Sequence, residues 1–312
     1  MDLRIFTMKE DNDSKQIIKD KQDFQRWLSG IPYEVAFWRS YYGNKRRRAD
    51  LFSWSLYDKP CHLDNFDIGK YVDGLETPRP KLLDVGCALS YMFSSNINGK
   101  HFDVDYVDPL APFYNQILRR YRIERPEIQF GMIESLTGSY APNTVDFIHV
   151  RNALDHCSNP LNGIIQALAA LKKNGVLYLN HFRNEAKNEG YRGFHQFNIN
   201  EKDGDFILWN KDIELNVTEI CKGFAEVTTT VTAEGRIVSV LTKKAEVSST
   251  LYNPQEIAML MTSNMMATVE YFHKFRSSSK YQTKRIISTI GHRTMRMMPY
   301  SILNKIKRLA GK

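Results

Sequence analysis

The chain has 312 residues, of which 42% are hydrophobic, and this is enough to bury the core of one large domain with substantial additions. It contains no stretch of about 18 apolar residues and no apolar segment near its start, so we expect neither a membrane-spanning helix nor a secretory signal. Four widely spaced cysteines are evidence against a disulfide scaffold or a zinc site and favour a reducing compartment. We therefore expect a cytoplasmic protein.

The net charge of +8 comes from the C-terminal end of the chain. Residues 271–312 hold 11 of the 43 Lys and Arg residues and no Asp or Glu, which leaves 32 basic against 35 acidic residues elsewhere. A partner attracted by positive charge would therefore meet this tail and not the remainder of the protein.

Residues 1–75 show helical and irregular patterns, with many aromatic residues and a basic run at residues 45–48. That run either forms a solvated helix face or meets a phosphate or an acidic sugar. From Pro80 onwards, short apolar runs alternate with helical spacing, which is typical of a parallel α/β sheet. The strands predicted for this sheet are residues 81–85, 102–107, 128–130, 145–150 and 176–180.

Two helices are predicted between these strands, at residues 111–122 and 161–173. The second begins after Asn159, with Pro160 in its first turn, and is expected to end at Asn174 and Gly175. After residue 180 the sequence predicts a polar loop, a hairpin and a final pair of strands. The hairpin comprises residues 194–197 and 205–209, and the final strands comprise residues 225–232 and 236–241.

The first predicted strand ends in a turn of small residues that runs from Asp84 to Ala88. Small residues let backbone N–H groups approach a ligand at the carboxyl edge of a parallel sheet. Asp108 ends the second strand, 22 residues after Gly86, where a carboxylate can accept hydrogen bonds from both hydroxyls of a ribose. The dinucleotide motif Gly-x-Gly-x-x-Gly is incomplete, which is evidence against a nicotinamide cofactor. A tight turn in an unrelated α/β protein is the alternative.

Residues 80–245 resemble a class I S-adenosylmethionine-dependent methyltransferase. The resemblance is carried by residues 83–87, Asp108, residues 145–156 and residues 171–177, the last being close to the family sequence Leu-Lys-Pro-Gly-Gly. It implies an α/β fold with a Rossmann-like seven-stranded sheet, mostly parallel with an antiparallel last strand. It also implies S-adenosyl-L-methionine as cofactor and S-adenosyl-L-homocysteine as product. The chain then divides into a helical, aromatic N-terminal lid (1–75), the methyltransferase domain (76–245) and a basic, partly amphipathic helical extension (246–312).

The family pattern assigns cofactor-binding roles by position. The turn shapes the methionine pocket, Asp108 binds the ribose, residues 133 and 134 flank the adenine, and the residues after the fourth strand face the sulfonium. The complete set is Asp84, Gly86, Cys87, Ala88, Asp108, Pro109, Ile133, Glu134, Arg151 and Asn152. Met132 departs from the family, in which an aspartate often meets the adenine amino group. A relative that does not bind the cofactor is therefore the alternative.

Proton removal from a hydroxyl acceptor benefits from a base whose pKa is near neutral, and histidine is the usual residue. His156 follows the fourth predicted strand, and Asp155 is placed to orient it or to contact substrate. His181 follows the fifth strand and is expected at the mouth of the cleft, opposite the cofactor. Either histidine is a candidate base, and catalysis without either is the alternative. His149 alternates within a strand, so we expect it to be buried and structural.

The loop after the fifth strand is rich in hydrogen-bonding and aromatic groups, which usually serve a polar ligand. Its predicted substrate-binding residues are Arg183, Asn184, Glu185, His195 and Gln196. No metal site is predicted, because no cluster of carboxylates has a metal-ligand spacing.

Residues 80–210 also resemble uncharacterised bacterial methyltransferases found with surface-polysaccharide genes. That resemblance implies O-methylation of a sugar hydroxyl, on a cell-surface glycan or its precursor, by in-line transfer with a histidine base. RNA or a small metabolite is the alternative acceptor, and a non-catalytic relative that binds the cofactor is a further alternative.

The tail places apolar residues on one helical face and Lys and Arg on others, as at residues 301–310. Basic amphipathic helices lie in the interface of anionic membranes, so the tail predicts peripheral association with the inner face of the plasma membrane. Nucleic acid is a second candidate partner, although the apolar residues form a stripe instead of isolated stacking aromatics. Packing against the rest of the chain or a second subunit is the third.

Overall fold

The computed structural model describes residues 10–57 and 59–248, together with residue 251 and single residues or short groups between 262 and 286; side chains are described from residue 26. The interpretation of the tail as a membrane-binding, nucleic-acid-binding or packing segment lies almost entirely outside the described residues. Within them, no helix is long and apolar enough to cross a membrane.

A seven-stranded sheet forms the centre of the molecule. Its strands, in the order in which they lie side by side, are β11 (Ala225–Val231), β12 (Arg236–Lys243), β7 (Leu171–Phe182), β6 (Val145–Arg151), β1 (Leu82–Val85), β4 (Val104–Asp108) and β5 (Gln129–Phe130). The five strands from β7 to β5 are parallel, whereas β12 runs antiparallel to both of its neighbours. The predicted Rossmann-like sheet with an antiparallel last strand is confirmed. The strand order reverses between β1 and β6, where open α/β sheets bind ligands.

Helices cover both faces of this sheet. On one face lie α1 (Glu10–Tyr42), α2 (Lys45–Trp54), α3 (Ile68–Asp73) and α4 (Ala111–Tyr121); on the other lie α5 (Pro160–Ala170) and the short α7 (Val217–Cys221). Consecutive strand residues alternate between the faces, as the pleat of a strand requires. Leu82 is buried beneath the first group of helices and Leu83 beneath the second.

The long first helix is attached to the sheet by a stripe of apolar side chains. Ile31, Val35, Trp38 and Tyr42 recur at helical spacing and are all buried. The Tyr42 hydroxyl donates a hydrogen bond to the carbonyl of Leu89, 2.7 Å away, just after the β1 turn. This contact places α1 alongside the carboxyl ends of the central strands.

Two local predictions were wrong. The helix expected to continue to residue 173 ends at Ala170, because Leu171 already has extended backbone and begins β7. Lys172 then pairs with Asp146 of the neighbouring strand at 2.8 Å, a long-range contact that the helical spacing of the sequence does not reveal. Asn174 adopts a positive φ inside β7 and does not cap a helix.

The predicted hairpin is displaced along the sequence. Its strands are β8 (Asn198–Lys202) and β9 (Asp205–Trp209), which join β10 (Glu214–Asn216) in a separate antiparallel sheet. Residues 194–197 form an irregular loop, since Gln196 donates its backbone N–H to Asp155 and its side-chain amide to the carbonyls of Tyr191 and Gly193. The remaining elements are a short hairpin, β2 (Asn96–Ile97) and β3 (Lys100–His101), and the one-turn helix α6 (Glu185–Asn188).

Candidate active site

A cavity of about 1330 Å³ lies at the carboxyl ends of β1, β4, β6 and β7. Its walls come from the turn after β1, the end of β4, residues 132–134, the segment after β6 and the loop at residues 185–195; α1 and α2 close one side. This is the edge at which the sequence predicted a ligand site. We call the part near Asp108 the cofactor end and the part near Asp155 the acceptor end.

The turn after β1 depends on a glycine. Gly86 has a φ of +70°, and a Cβ atom built on it would lie 2.3 Å from the side chain of Ala153. Only glycine combines this backbone conformation with such a close neighbour. The turn after β1 therefore packs directly against the segment after β6, which carries the groups of the acceptor end. Ala88 also has a positive φ, +46°, which is unfavourable for a residue with a side chain.

Asp108 lies at the end of β4 and lines the cavity, as predicted for a ribose ligand. One carboxylate oxygen accepts the N–H of Ala88 at 3.0 Å and the other accepts the N–H of Leu110 at 2.7 Å. Each oxygen keeps a lone pair for a further donor. Burial raises the pKa of Asp108 to about 7, and nearby Glu34 contributes in the same direction.

Glu34 is a cavity residue that the sequence did not reveal. It projects from α1 and accepts a hydrogen bond from the indole N–H of Trp38, one helical turn away, at 2.7 Å. The spacing of these two residues was visible in the sequence. Their position over the carboxyl edge was not, because it depends on how α1 packs against the sheet.

Two predicted cofactor-binding residues of this turn have side chains that are buried away from the cavity. Asp84 accepts a hydrogen bond from His149 Nδ1 at 2.7 Å, and both side chains are buried. The Cys87 thiol is also buried, and this burial raises its pKa well above the usual value. Neither Asp84 nor Cys87 lines the cavity, so direct cofactor contact by their side chains is not supported. The predicted buried position of His149 is confirmed.

The residues predicted to flank the adenine lie in a largely apolar part of the cavity wall. Met132, Ile133 and Glu134 line the cavity next to one another. The Glu134 carboxylate is already engaged, since it accepts the backbone N–H and the hydroxyl of Ser158 at 2.8 and 3.1 Å. Its contribution is therefore to hold the segment that leads into α5. Pro109, which follows Asp108, also lines the cavity.

At the acceptor end, Asp155, His156 and His195 converge. His195 Nδ1–H donates a hydrogen bond of 2.8 Å to Asp155 Oδ2, and His156 Nε2 lies 3.2 Å from the same ring nitrogen. All three residues line the cavity. His195 Nε2 has no hydrogen-bond partner among the described residues and is not buried, so a ligand can reach it.

The charges at this end favour an ionised aspartate and a basic imidazole. Burial would raise the pKa of Asp155, but the neighbouring histidines outweigh it and lower the pKa to about 2. Burial would lower the pKa of His195, but the hydrogen bond and charge of Asp155, together with Glu185 and Glu189, outweigh it and raise the pKa above its usual value. Asp155 is therefore ionised near pH 7, and His195 is a stronger base than an ordinary histidine. These are the properties of an aspartate that orients a histidine base.

The helix α1 also supports His195. Phe194 stacks on Trp27 with ring centroids 5.3 Å apart, and a Cβ atom on Gly30 would lie 2.5 Å from the Phe194 ring. A glycine at position 30 thus allows the loop that carries His195 to pack against α1.

The expected position of His181 at the mouth of the cleft is wrong. β7 continues to Phe182, so His181 lies within the strand; its ring is buried and both nitrogens lack a hydrogen-bond partner. Burial lowers its pKa to about 3, so it is neutral near pH 7. It does not line the cavity, and the structure gives it no access to an acceptor.

Among the predicted substrate-binding residues, Glu185 and His195 line the cavity, and three others do not. Arg183 donates to Asn200 at 2.6 Å, Asn184 accepts the indole N–H of Trp209 at 3.0 Å, and Gln196 donates to backbone carbonyls of its own loop. Arg183 and Asn184 thus hold the loop against the small sheet, whereas Gln196 stabilises the loop itself. The expectation that they contact substrate directly is therefore not supported.

The sequence also missed Arg236, the first residue of β12. Because β12 runs antiparallel to β7, Arg236 lies opposite Phe182, and its guanidinium joins Arg151 and Asn152 in the wall of the cavity. Arg151 and Asn152 are thus in the cavity wall as predicted. A signal existed in principle, since an arginine that starts an antiparallel last strand lies beside the carboxyl end of the parallel strand with which it pairs, here β7.

Asp155, His156 and His195 are also the described residues whose ligand atoms come close enough together for a metal ion, all within 4.8 Å of one another. Within this cluster, His195 Nδ1 and Asp155 Oδ2 are joined by a hydrogen bond of 2.8 Å. The same arrangement would also suit proton transfer without a metal. Metal independence stays a prediction, which a chelator can test.

Comparisons with known proteins identify a family that part of the chain matches. Residues 61–208 match the family model described as a methyltransferase domain. Among curated proteins, none matches this sequence.

The chain is also similar to several solved structures. One is a protein from Pyrococcus horikoshii OT3, with 13% identity, 65% of this chain and 93% of that chain covered, and a TM-score of 0.36. Another is an S-adenosylmethionine-dependent methyltransferase from Aquifex aeolicus, with 14% identity, 56% and 89% covered, and a TM-score of 0.36. A third is a 16S rRNA methyltransferase from T. thermophilus in complex with AdoMet and guanosine, with 11% identity, 61% and 42% covered, and a TM-score of 0.33. Similarity at this level does not bear on the acceptor. The strand order and the family match together indicate a methyltransferase domain at residues 61–208, with S-adenosylmethionine as its cofactor.

Proposed function

We propose that this protein transfers a methyl group from S-adenosylmethionine to a hydroxyl oxygen, with His195 as the base that removes the hydroxyl proton. The observation that carries the proposal is the 2.8 Å hydrogen bond between His195 Nδ1 and the buried Asp155 inside the cavity. It replaces the sequence-based candidates His156 and His181, of which the second is buried away from the cavity.

The cofactor end has the groups that a nucleoside ligand needs. Asp108 can accept hydrogen bonds from the ribose, the Gly86 turn leaves room for the methionine portion, and Met132 with Ile133 offers an apolar surface for the adenine. The lack of a polar side chain at Met132 removes a contact to the adenine amino group, and backbone groups would have to replace it. When bound, S-adenosylmethionine supplies an electrophilic methyl group on a sulfonium sulfur, and S-adenosylhomocysteine is left after transfer.

The chain's own residues handle the proton. With Nδ1–H directed at Asp155, the neutral imidazole presents Nε2 to the cavity as a hydrogen-bond acceptor. An acceptor hydroxyl held there loses its proton to Nε2 as its oxygen becomes methylated. The positive charge that forms on the ring is stabilised by the ionised carboxylate of Asp155. His156, whose Nε2 is 3.5 Å from the same carboxylate, helps to hold Asp155 in place.

A hydroxyl-rich acceptor such as a sugar suits the rim of this cavity. Tyr33, Trp54 and Phe182 all line it and have exposed fractions of 42%, 56% and 48%. Exposed aromatic faces can stack on sugar rings, while Glu185, Glu189 and Arg192 offer polar contacts nearby. On this basis we favour a sugar hydroxyl of a cell-surface glycan or its precursor over RNA or a small metabolite. Association of the tail with the inner face of the plasma membrane would be consistent with such an acceptor.

The proposal is tested in two steps with the full-length protein. Calorimetry should detect binding of S-adenosylhomocysteine, and its absence at millimolar concentration would contradict the cofactor assignment. Cell-envelope glycans and their nucleotide-linked precursors should then be screened with radiolabelled S-adenosylmethionine, with and without EDTA. Label that is stable to mild base, as a methyl ether is, supports O-methylation of a hydroxyl; label in RNA alone would overturn the glycan assignment. Loss of activity in EDTA that Mg²⁺ restores would replace the histidine base with a metal-assisted mechanism.

A further inference from the structure

We infer that the acceptor end contains a binding site for an anionic group of the substrate, a carboxylate or a phosphate, formed by the guanidinium groups of Arg236 and Arg151. The inference rests on the proposed function, because it specifies a chemical feature of the acceptor that the same cavity would receive.

Arg236 is buried and rigidly held. Its Nε donates to the side-chain oxygen of Asn180, and one terminal nitrogen, Nη2, donates to the side-chain oxygen of Asn152 at 2.8 Å and to the Asn180 carbonyl at 3.1 Å. The ring of Phe182 lies over the guanidinium, with its centroid 4.2 Å from the Arg236 carbon. Arg236 has 7% of its surface exposed, so these contacts fix the plane of its guanidinium.

One edge of this guanidinium is left for a ligand. Nη1 makes no hydrogen bond with the described residues, and it is not among their buried atoms that lack a partner. Since Arg236 lines the cavity, the free edge is accessible from there. Arg151 lines the same wall and makes no hydrogen bond or ion pair within the described part of the chain. Two guanidinium groups therefore offer unused donors to one side of the cavity.

The charge of this pair is not compensated by a salt bridge. Burial lowers the pKa of Arg236 to about 10, with the neighbouring charge of Arg151 as the next cause, so the Arg236 side chain stays cationic near pH 7. The carboxylates that influence Arg236 are Asp64 and Glu185, but neither comes within 4.0 Å of it. A buried cation without an ion-pair partner is costly, and an anionic ligand that accepts hydrogen bonds from both groups would remove that cost.

The position of the pair indicates the acceptor. Arg236 and Phe182 lie at the end of β7, two strands beyond β1, whereas Asp108 lies at the end of β4 on the opposite side of β1. A cofactor that places its ribose at Asp108 extends from there towards the β1 turn. Its methionine carboxylate is the other anion that could reach these arginines, and the experiment distinguishes the two.

The test compares three probes that differ in one group: glucose, glucuronate and glucose 1-phosphate. Each is titrated by ligand-observed NMR into the full-length protein saturated with S-adenosylhomocysteine. We expect glucuronate or glucose 1-phosphate to bind at least about tenfold more tightly than glucose, as for a charge-assisted pair in a partly buried site. Equal affinity for all three, or no binding of any at tens of millimolar, would overturn the inference.

Variants then assign the effect. Arg151→Gln should weaken the anionic probes about tenfold and leave glucose and S-adenosylhomocysteine unchanged; it should fold normally because Arg151 supports no other residue. Arg236→Lys keeps the charge but loses the fork of donors, and should weaken the same probes. Arg183→Gln is the matched control, since it removes a charge from the adjacent loop outside the cavity.

The outcomes separate this inference from the proposed function. An equal loss of probe affinity in Arg183→Gln would overturn the inference, because it would show a general charge effect. A tenfold loss of S-adenosylhomocysteine affinity in Arg151→Gln would overturn it too, by assigning the arginines to the cofactor carboxylate. Failure of the unmodified protein to bind S-adenosylhomocysteine would instead contradict the proposed function.

Discussion

The two ends of the cavity are built in different ways. At the cofactor end, the turn after β1 meets the end of β4 through backbone groups, and the Asp108 carboxylate accepts N–H groups from Ala88 and Leu110. At the acceptor end, side chains from separate segments meet: His195 reaches Asp155 across 40 residues of sequence, and Arg236 reaches Asn152 across 84. Sheet geometry therefore fixes the first end, whereas side-chain contacts fix the second. Variants should consequently affect cofactor binding and methyl transfer separately.

The largest effect is expected at the acceptor end, for His195→Ala. Loss of the base should lower the rate of methyl transfer about 10²- to 10⁴-fold, with S-adenosylhomocysteine affinity changed by less than about twofold. Single-turnover measurements with labelled cofactor and calorimetry test both parts. His101→Ala, at an exposed position outside the cavity, is the control. A wild-type rate in His195→Ala would show that His195 is not the base and that the acceptor end does not control methyl transfer as proposed.

The reciprocal effect is expected for Asp108→Asn. At a pH well above 7, where Asp108 is ionised, replacing this charged acceptor by a neutral amide should weaken S-adenosylhomocysteine binding about 10- to 100-fold, because hydrogen bonds to charged groups contribute about 1.5–3 kcal/mol. The rate at saturating cofactor should change much less. Asp105→Asn is matched to it, since Asp105 lies on the same strand but outside the cavity. If the two variants bind the cofactor product equally well, Asp108 is not the ribose ligand.

The pH dependence of kcat/KM sharpens the assignment of the base. His195 must be neutral to accept a proton, so activity should fall as the pH drops through its pKa, which the Asp155 carboxylate raises above 6.5. Asp155→Asn removes that charge. The acidic limb should therefore move to lower pH, while the plateau rate decreases because the imidazole is less well oriented. An acidic limb that does not move in Asp155→Asn would exclude His195 as the titrating group.

The smallest expected effect concerns backbone strain at the cofactor end. Ala88 has a φ of +46°, so Ala88→Gly should relieve backbone strain. The greater entropy of the unfolded glycine chain offsets part of this gain, and the net stabilisation of the fold should be about 1 kcal/mol. Thermal unfolding should show a rise of about 2 °C. Ala49→Gly, on the exposed side of α2, should destabilise instead by about 0.5–1 kcal/mol. A lower melting temperature for both variants would show that the Ala88 conformation is not strained.

Local sequence patterns located the turn after β1 and Asp108, although they did not reveal Glu34 or the burial of Asp84 and Cys87 away from the cavity. Alternating strand and helix signals predicted the parallel sheet, and the Gly86 turn with Asp108 marked its carboxyl edge, because these features depend on residues close in sequence. The same patterns failed where one residue fitted the spacing of a helix but belonged to the strand that follows it. Leu171 continues the helical spacing of α5, yet it begins β7, and only contacts such as Lys172 to Asp146 determine that outcome.

The sequence by itself determined the fold class, the edge of the sheet at which the cavity lies, and S-adenosylmethionine as the cofactor. The tertiary structure alone decided which histidines line the cavity. His181 and His195 could not be distinguished by residue type, but β7 runs one residue past His181 and buries it, whereas the loop packed against Trp27 and Gly30 presents His195 beside Asp155. It also brought Glu34 and Arg236 into the cavity. The physical reason is that hydrogen bonds and packing at the acceptor end join segments far apart in the chain. The spacing of neighbouring residues in the sequence therefore cannot predict these contacts.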